Sequence, residues 1–175
     1  MCAAIWNATR LVRVILAAVA SAFLTGCVAT PQQAVQMNYT AAEFDAYRRT
    51  GDATVYGQAF LRQQGGGVVV CAGEPVVLIP HTASFEKVMA LARQHIQPVL
   101  GNEADPRFKE IARIATCDAQ GNFRFAGLPR APWYIFSRVR WSVGDYGQQG
   151  GELLGDVDTT DGGEQQVLLT DRNRL

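Results

Sequence analysis

The fold is decided by the stretch Thr116-Cys-Asp-Ala-Gln-Gly-Asn-Phe-Arg-Phe-Ala-Gly-Leu-Pro129. Asp118 and Gly121 are typical of a tight turn, because aspartate bonds nearby backbone N–H groups and glycine readily adopts a positive φ. Phe123 and Phe125 are separated by one residue, so on a strand both side chains point to the same face. The stretch therefore predicts a hairpin turn that leads into a strand with one buried face.

Further strand-like segments follow one another along most of the chain. Each is short and either alternating or rich in β-branched residues, and glycine-containing turns separate many of them. Because no series of βα units appears, the pattern favours an antiparallel sandwich over a parallel sheet. The predicted strands are Ala53–Leu61, Val68–Cys71, Val76–Ile79, Ile111–Cys117, Asn122–Phe125 and Trp133–Trp141, with a last pair, Leu153–Thr159 and Gln165–Leu169, turning at Asp161-Gly-Gly163.

Two segments are predicted to be helical. Thr40-Ala-Ala-Glu43 forms a capping box, in which the threonine and glutamate side chains accept each other's backbone N–H groups. Apolar residues recur at helical spacing over Ser84–Gln97, with Ser84 as the candidate N-cap and Pro98 as the stop. The expected fold is therefore all-β: an antiparallel sandwich with a short N-terminal helix and one inserted helix.

The N-terminus resembles a bacterial lipoprotein signal. Two arginines and no acidic residue lie within Met1–Arg13, and the apolar run Val14–Phe23 is shorter than the roughly 20 residues that a membrane-spanning helix needs. Leu24-Thr-Gly-Cys27 resembles a lipobox, at which lipoprotein precursors are cut and acylated with fatty acids such as palmitate. The resemblance predicts a signal peptide at residues 1–26 and a lipid on Cys27.

The lipobox implies that the mature chain is attached to a membrane of the cell envelope through its N-terminal lipid. Residues 27–50 are then expected to be a lipidated tether and short helix, with Val28–Asn38 flexible, and residues 51–175 to be the folded domain. Val28 stands where aspartate usually signals inner-membrane retention in Gram-negative lipoproteins, which favours the outer membrane, facing the periplasm or the surface. The chain balances 16 basic against 16 acidic residues, which argues against a nucleic-acid partner.

Three segments together resemble one domain family. They are Gly51–Phe60, Glu74–Pro80 and the deciding stretch Thr116–Pro129, which Pro132-Trp-Tyr-Ile follows. They are similar to the carboxypeptidase regulatory-like domains, which have a transthyretin (prealbumin)-like β-sandwich, and the resemblance runs from about Gly51 to Leu169. It implies a fold and no reaction, since the peptidase activity of carboxypeptidases sits in a separate domain. One departure is Arg130-Ala-Pro132, which stands where the family usually has a glycine.

Cys71 and Cys117 are the two cysteines left once Cys2 is removed with the signal peptide and Cys27 is acylated. An even pair in an oxidising compartment predicts a disulfide bond. The alternative is that both are free thiols packed into the core.

Four aromatic residues, Trp133, Tyr134, Trp141 and Tyr146, are candidates for a ligand-facing platform. Aromatic residues at alternating strand positions are more often part of a core. Neighbours on a strand point to opposite faces, so Trp133 and Tyr134 cannot both be buried in the same layer.

No catalytic or metal-binding pattern is evident, and no cofactor is expected. His81 and His95 are the only histidines and form no zinc-binding motif, which needs three or four ligands. Asp156, Asp158 and Asp161 could bind calcium through their oxygens, but carboxylates solvated in a turn explain them better. The serines lack the G-x-S-x-G context of a nucleophile.

These observations predict a non-enzymatic, lipid-anchored module of the periplasm or surface that binds an envelope protein or polymer, or serves as a structural element. The alternative is an accessory carbohydrate-binding module of an envelope hydrolase system. Members of the resembling family act as accessory, adhesive or carbohydrate-binding modules, and fold alone cannot choose among these. An enzyme is the third interpretation, and no motif supports it.

Overall fold

The computed structural model describes residues 31–36, 40–100 and 107–175, all within the compact unit Pro31–Leu175. The predicted signal peptide, Cys2 and the predicted lipidation site Cys27 lie outside the described residues. In the described part of the chain, no helix is both long and apolar enough to cross a membrane.

The described elements are mostly short strands. Their order is β1 Gln32–Val35, α1 Ala41–Arg48, β2 Ala53–Arg62, β3 Val68–Val70, β4 Pro75–Pro80, α2 Ala83–Arg93, β5 Gln97–Leu100, α3 Phe108–Ile111, β6 Arg113–Thr116, β7 Asn122–Leu128, β8 Pro132–Ser142, β9 Gln148–Asp158 and β10 Glu164–Leu169. Short 3₁₀ turns lie at Gly144–Tyr146 and Asp171–Asn173.

Two sheets form a β-sandwich, as predicted. In the first sheet, β2 is central: β10 pairs with it on one side, and β7 and β3 pair with successive parts of it on the other. The second sheet has the strand order β6-β4-β8-β9, and all its pairs are antiparallel. The parallel pairing of β10 with β2 is the one departure within the sandwich from the predicted antiparallel arrangement.

The core lies between the inward faces of these sheets. Phe123 and Phe125 are both buried there, which confirms that they share a face. Trp133 on β8 enters the same cluster from the second sheet and is fully buried. The largest aliphatic members are Val55 and Leu61 on β2, Val76 and Leu78 on β4, Ile111 on α3, Leu128 on β7, Ile135 and Val139 on β8, Leu153 on β9 and Leu169 on β10.

A second apolar cluster covers the outer face of the second sheet. Helix α2 contributes Phe85, Val88, Met89 and Leu91, which pack with Tyr134 of β8, Leu154 of β9 and Val35 of β1. Strand β1 pairs in parallel with β5, so these two strands and α2 form a third layer. The second sheet is therefore covered around Tyr134 and Leu154, whereas in the first sheet the outward side chains of β7 and β10 face solvent and those of β2 are half-exposed.

The polar segment after the lipobox is partly structured, which corrects the prediction of a flexible tether over Val28–Asn38. Gln32–Val35 forms β1, and the N–H of Gln97 donates to the carbonyl of Pro31, just before it. Val35 is buried at 5% exposure and is the only strongly apolar residue of the strand, so the sequence carries little strand signal.

Both predicted helices are present, with shifted ends. Helix α1 has the predicted capping box between Thr40 and Glu43. Helix α2 begins after Thr82, whose hydroxyl accepts the N–H of Phe85, rather than after Ser84. It ends at Arg93, before the predicted Gln97. His95, which was predicted to be helical, instead has a φ of 57° just beyond the helix end.

Strand pairing differs from the prediction at two turns. The turn at Asp118 and Gly121 forms as expected, with a glycine φ of 79°, but it joins β6 of the second sheet to β7 of the first and is no hairpin. Likewise, β9 and β10 belong to different sheets and do not pair as predicted. Residue alternation identifies the buried face of a strand but not its neighbour.

Candidate functional site

The outer face of the first sheet carries polar, aromatic and aliphatic side chains that are half-exposed on β2 and exposed on β7 and β10. It is built from the outward-pointing side chains of three adjacent strands, and we call it the open face. Because side chains alternate along a strand, these residues lie between the core residues and point to the opposite face. They are Thr54, Tyr56, Gln58 and Phe60 on β2, Asn122, Arg124 and Ala126 on β7, and Glu164, Gln166 and Leu168 on β10.

Strand register orders the open face into rows that run across the strands. Tyr56 lies opposite Gln166 on β10 and opposite Arg124 on β7. Gln58, two residues further along β2, lies opposite Leu168 and Asn122. Tyrosine and leucine surfaces therefore alternate with amide and guanidinium groups within a few ångströms.

A shallow groove of about 540 Å³ follows these rows. It is lined by Gln166 and Leu168 of β10, by the β2 and β7 residues of both rows, and by Ala115 and Thr116 of β6 with Asp118 just beyond. Leu168 is 54% exposed and so offers apolar surface to the groove. The groove thus combines apolar surface with uncharged polar groups and two charged side chains, Arg124 and Asp118.

The turn at one end of the groove orients two of its amides. Gln58 Nε2 donates to the backbone carbonyl of Gln120 at 2.7 Å, and Asn122 Nδ2 donates to Asp118 Oδ2 at 3.0 Å. The other carboxylate oxygen of Asp118 accepts the N–H groups of Gln120 and Asn122 at 2.9 and 2.8 Å. These hydrogen bonds hold the pKa of the Asp118 carboxyl below its usual value. The bond from the Asn122 side chain has the largest effect.

The charged groups beside the groove are already partnered. Arg124 donates to Glu164 Oε1 at 2.7 Å, and its guanidinium carbon stands 5.9 Å from the centre of the Tyr56 ring. Both partners of this ion pair are more than half exposed, so the pair orders side chains more than it stabilises the fold.

The predicted disulfide between Cys71 and Cys117 is present, with the Cα atoms 5.8 Å apart. Both residues are buried. Cys71 follows β3 of the first sheet and Cys117 follows β6 of the second, so the bond joins the two sheets and not two adjacent strands. The backbone reinforces it, because the N–H of Gly73 donates to the carbonyl of Cys117.

The predicted aromatic platform does not form on Trp133 and Tyr134, which are 0% and 1% exposed. They occupy different layers, as their adjacency requires: Trp133 lies in the core and Tyr134 lies under α2. Trp141 is partly buried against the core. The side chain of Tyr146 lies outside what the structure describes. The core interpretation is therefore correct for Trp133 and Tyr134, and the platform interpretation of these two residues is wrong.

Tyr56 and Leu168 were not predicted from the sequence as candidate surface residues. Both occupy strands that were predicted, at the positions between the inward-facing residues. Alternation alone could have placed them on one outer face, but it could not show that this face is uncovered.

The other candidate residues have structural partners. Asp156 pairs with Arg93 at 2.7 Å, and Asp158 Oδ1 accepts the N–H of Thr160 at 2.8 Å. The His81 ring stacks on Tyr134, with centroids 4.3 Å apart. Within the described ranges, no three His, Cys, Asp or Glu side chains are grouped so that they could hold a metal ion.

Comparison with known proteins gives one informative likeness. No family model and no curated protein sequence matches the chain. Among solved structures, it is similar to a Pseudomonas aeruginosa protein proposed to bind carbohydrate, with 27% identity and a TM-score of 0.63, over 77% of this chain and 98% of that one. The two proteins share a fold. The resemblance to carboxypeptidase regulatory-like domains stays a prediction.

Two more distant likenesses carry no argument about function. The major pilin subunit of Bacillus cereus aligns with 11% identity and a TM-score of 0.39, over 71% of this chain and 30% of that one. A chlorocatechol 1,2-dioxygenase of Pseudomonas putida aligns with 11% identity and a TM-score of 0.29, over 85% of this chain and 68% of that one.

Proposed function

We propose that this chain is a non-enzymatic, lipid-anchored module of the bacterial cell envelope that binds carbohydrate in the groove across its open face. The observation that carries the proposal is the groove across the open face, where exposed apolar surface alternates with oriented side-chain amides. The likeness to a protein proposed to bind carbohydrate supports it, because that likeness extends over 98% of the other chain.

The chemistry of the groove matches that of a sugar. A sugar ring presents hydroxyl groups, which both donate and accept hydrogen bonds, and apolar C–H faces. Side-chain amides offer two donors and an acceptor and can pair with hydroxyls. The Tyr56 ring and the exposed Leu168 side chain offer the apolar surface on which C–H groups can pack.

Attachment to the membrane completes the proposal and rests on the sequence. A lipid on Cys27 would hold the module at the envelope, at the outer membrane if the source is Gram-negative. Its partners would then be the membrane, through that lipid, and an envelope polysaccharide. Because the mature chain is close to neutral, attraction to nucleic acid plays no part.

Calorimetric titration of the detergent-extracted, processed protein with a panel of soluble glycans tests the binding proposal. At least one glycan is expected to bind, and chromatography should recover it unchanged because no chemistry is performed. Leu168→Ala is expected to weaken binding about fivefold, as loss of one apolar contact would. Val99→Ala is the control, because Val99 is 43% exposed on β5, in the layer that lies over the second sheet.

Two results would overturn the proposal. One is the absence of binding to every glycan of the panel by protein that circular dichroism shows to be folded. The other is an equal loss of affinity in Leu168→Ala and Val99→Ala, which would place the ligand outside the groove.

A further inference from the structure

We infer that the ligand is a neutral, linear oligosaccharide that lies across the strands, from β10 over β2 and β7 to the end of β6. The inference rests on the proposed carbohydrate-binding function and specifies the class of glycan and its direction on the sheet. It is argued from the residues that line the groove, from the partners of its charged side chains, and from the hydrogen bonds of its side-chain amides.

The direction follows from the lining residues. Gln166 lies at the β10 end, Tyr56 in the middle, and Thr116 at the β6 end. Phe60 points to the same face of β2 as Tyr56, four residues further along, but it does not line the groove. The groove therefore crosses the strands and does not follow β2.

The length follows from strand spacing. Neighbouring strands lie about 4.8 Å apart, so β10 and β7 are separated by roughly 10 Å, and Thr116 lies beyond β7. A single sugar ring would occupy only part of this distance. A chain of several rings would contact Gln166 at one end and Thr116 at the other.

Neutrality follows from the charges. Among the described residues lining the groove, the charged ones are Arg124 and Asp118. Arg124 is paired with Glu164, and the Asp118 carboxylate accepts three hydrogen bonds from its own turn. Arg124 is already neutralised by its partner, and the Asp118 carboxylate keeps its negative charge and would repel an anionic sugar.

Hydroxyl recognition follows from the amides. Gln58 and Asn122 each direct their NH₂ group into the turn, and among the described residues their amide oxygens have no hydrogen-bond partner. Two acceptors are thus held in place along the groove, where they suit hydroxyl donors of an uncharged ring.

The test is a calorimetric titration of the detergent-extracted, processed protein with oligosaccharide ladders of one to six rings. The neutral ladders are cello-, malto- and chito-oligosaccharides, and oligogalacturonate is the acidic one. Affinity for one neutral ladder is expected to rise with each added ring up to at least three. Raising the salt concentration should change it less than twofold, because no net charge is neutralised on binding.

Matched variants test the direction. Tyr56→Ala is expected to weaken binding of the longest bound oligosaccharide about tenfold, whereas Phe60→Ala should change it less than twofold. Thr116→Val should weaken binding of long chains only. If Tyr56→Ala does not fold, Leu168→Ala replaces it as the groove variant.

The outcomes separate the two proposals. Binding that is independent of ring number, is strongest for oligogalacturonate, or is lost equally in Phe60→Ala and Tyr56→Ala would overturn this inference and leave carbohydrate binding intact. The absence of binding to every ladder and to the wider glycan panel would overturn the proposed function itself, and this inference with it.

Discussion

The buried hydroxyl of Thr159 accepts the indole N–H of Trp133 at 3.3 Å. The same oxygen accepts the N–H of Ala131 at 3.1 Å and lies 2.7 Å from the carbonyl oxygen of Ala131, to which it can donate. One side chain therefore organises the corner before β8. At this corner the chain has Arg130-Ala-Pro132, where the family that it resembles usually has a glycine.

Thr159→Val is expected to destabilise the protein by roughly 1 to 3 kcal/mol, because the isosteric change leaves buried donors without an acceptor. The urea midpoint of unfolding should fall accordingly. Thr160→Val is the control, since Thr160 is exposed and its hydroxyl donates to Asp158, its one partner among the residues that the structure describes. Equal midpoints for the two variants would contradict the role given to Thr159.

Tyr47→Phe is expected to lower stability by about 1 kcal/mol through loss of one hydrogen bond. The Tyr47 phenol donates to the carbonyl of Pro132 at 2.9 Å, and its ring packs edge-on against Trp133. It therefore fastens α1 to the end of the sandwich. Urea unfolding at neutral pH measures the effect.

The same residue predicts a pH dependence. Burial raises the pKa of the Tyr47 phenol to about 12, from an ordinary value near 10. Its stabilising contribution is thus complete below pH 10 and is lost as the pH rises towards 12. The urea midpoint of the unmodified protein should fall more steeply over this window than that of Tyr47→Phe. Parallel profiles would show that Tyr47 ionises normally.

Removing the disulfide is expected to cost stability. The bond closes a loop of 46 positions, for which the chain-entropy model gives roughly 4 kcal/mol as an upper value. A double variant, Cys71→Ala with Cys117→Ala, should unfold at lower urea concentration, and dithiothreitol should then have no further effect. A non-reducing peptide map of the unmodified protein should recover the two cysteine peptides joined; free thiols would refute the bond.

Lipidation predicts a mass. Detergent-extracted protein should begin at Cys27 and carry added fatty-acyl mass, because several chains are needed for stable anchoring. Cys27→Ser should abolish the added mass and release the protein from the membrane fraction. Cys2→Ser is the matched control, since Cys2 would leave with the signal peptide. A processed chain without lipid would rule out the anchor.

Burial patterns along single strands were predictable from sequence, because apolar and polar residues alternate within each strand. The long strand around Trp133–Trp141 and the shared face of Phe123 and Phe125 are confirmed. Strand neighbours were not predictable: β9 and β10 follow one another in the chain, yet each pairs in a different sheet. Which strands pair depends on how all the strands and helices pack together around the core.

The candidate site was less predictable than the fold for a related reason. Trp133 and Tyr134 were candidates because they are large aromatic residues. Trp133 lies in the core, and Tyr134 is covered by α2, which comes from a distant part of the sequence. Tyr56 and Leu168 carry no motif and lie 112 positions apart, 168 minus 56, so only the parallel pairing of β10 with β2 brings their rows together.

The one-sided covering of the sandwich has an evolutionary consequence. Because α2 and the β1–β5 pair lie over the second sheet, the outward positions of β7 and β10 stay exposed and contribute little to stability. Substitutions there are expected to fall within about 0.5 kcal/mol of neutral. Related chains could therefore diversify the residues of this sheet while the scaffold stays intact, much as loops do in other sandwiches.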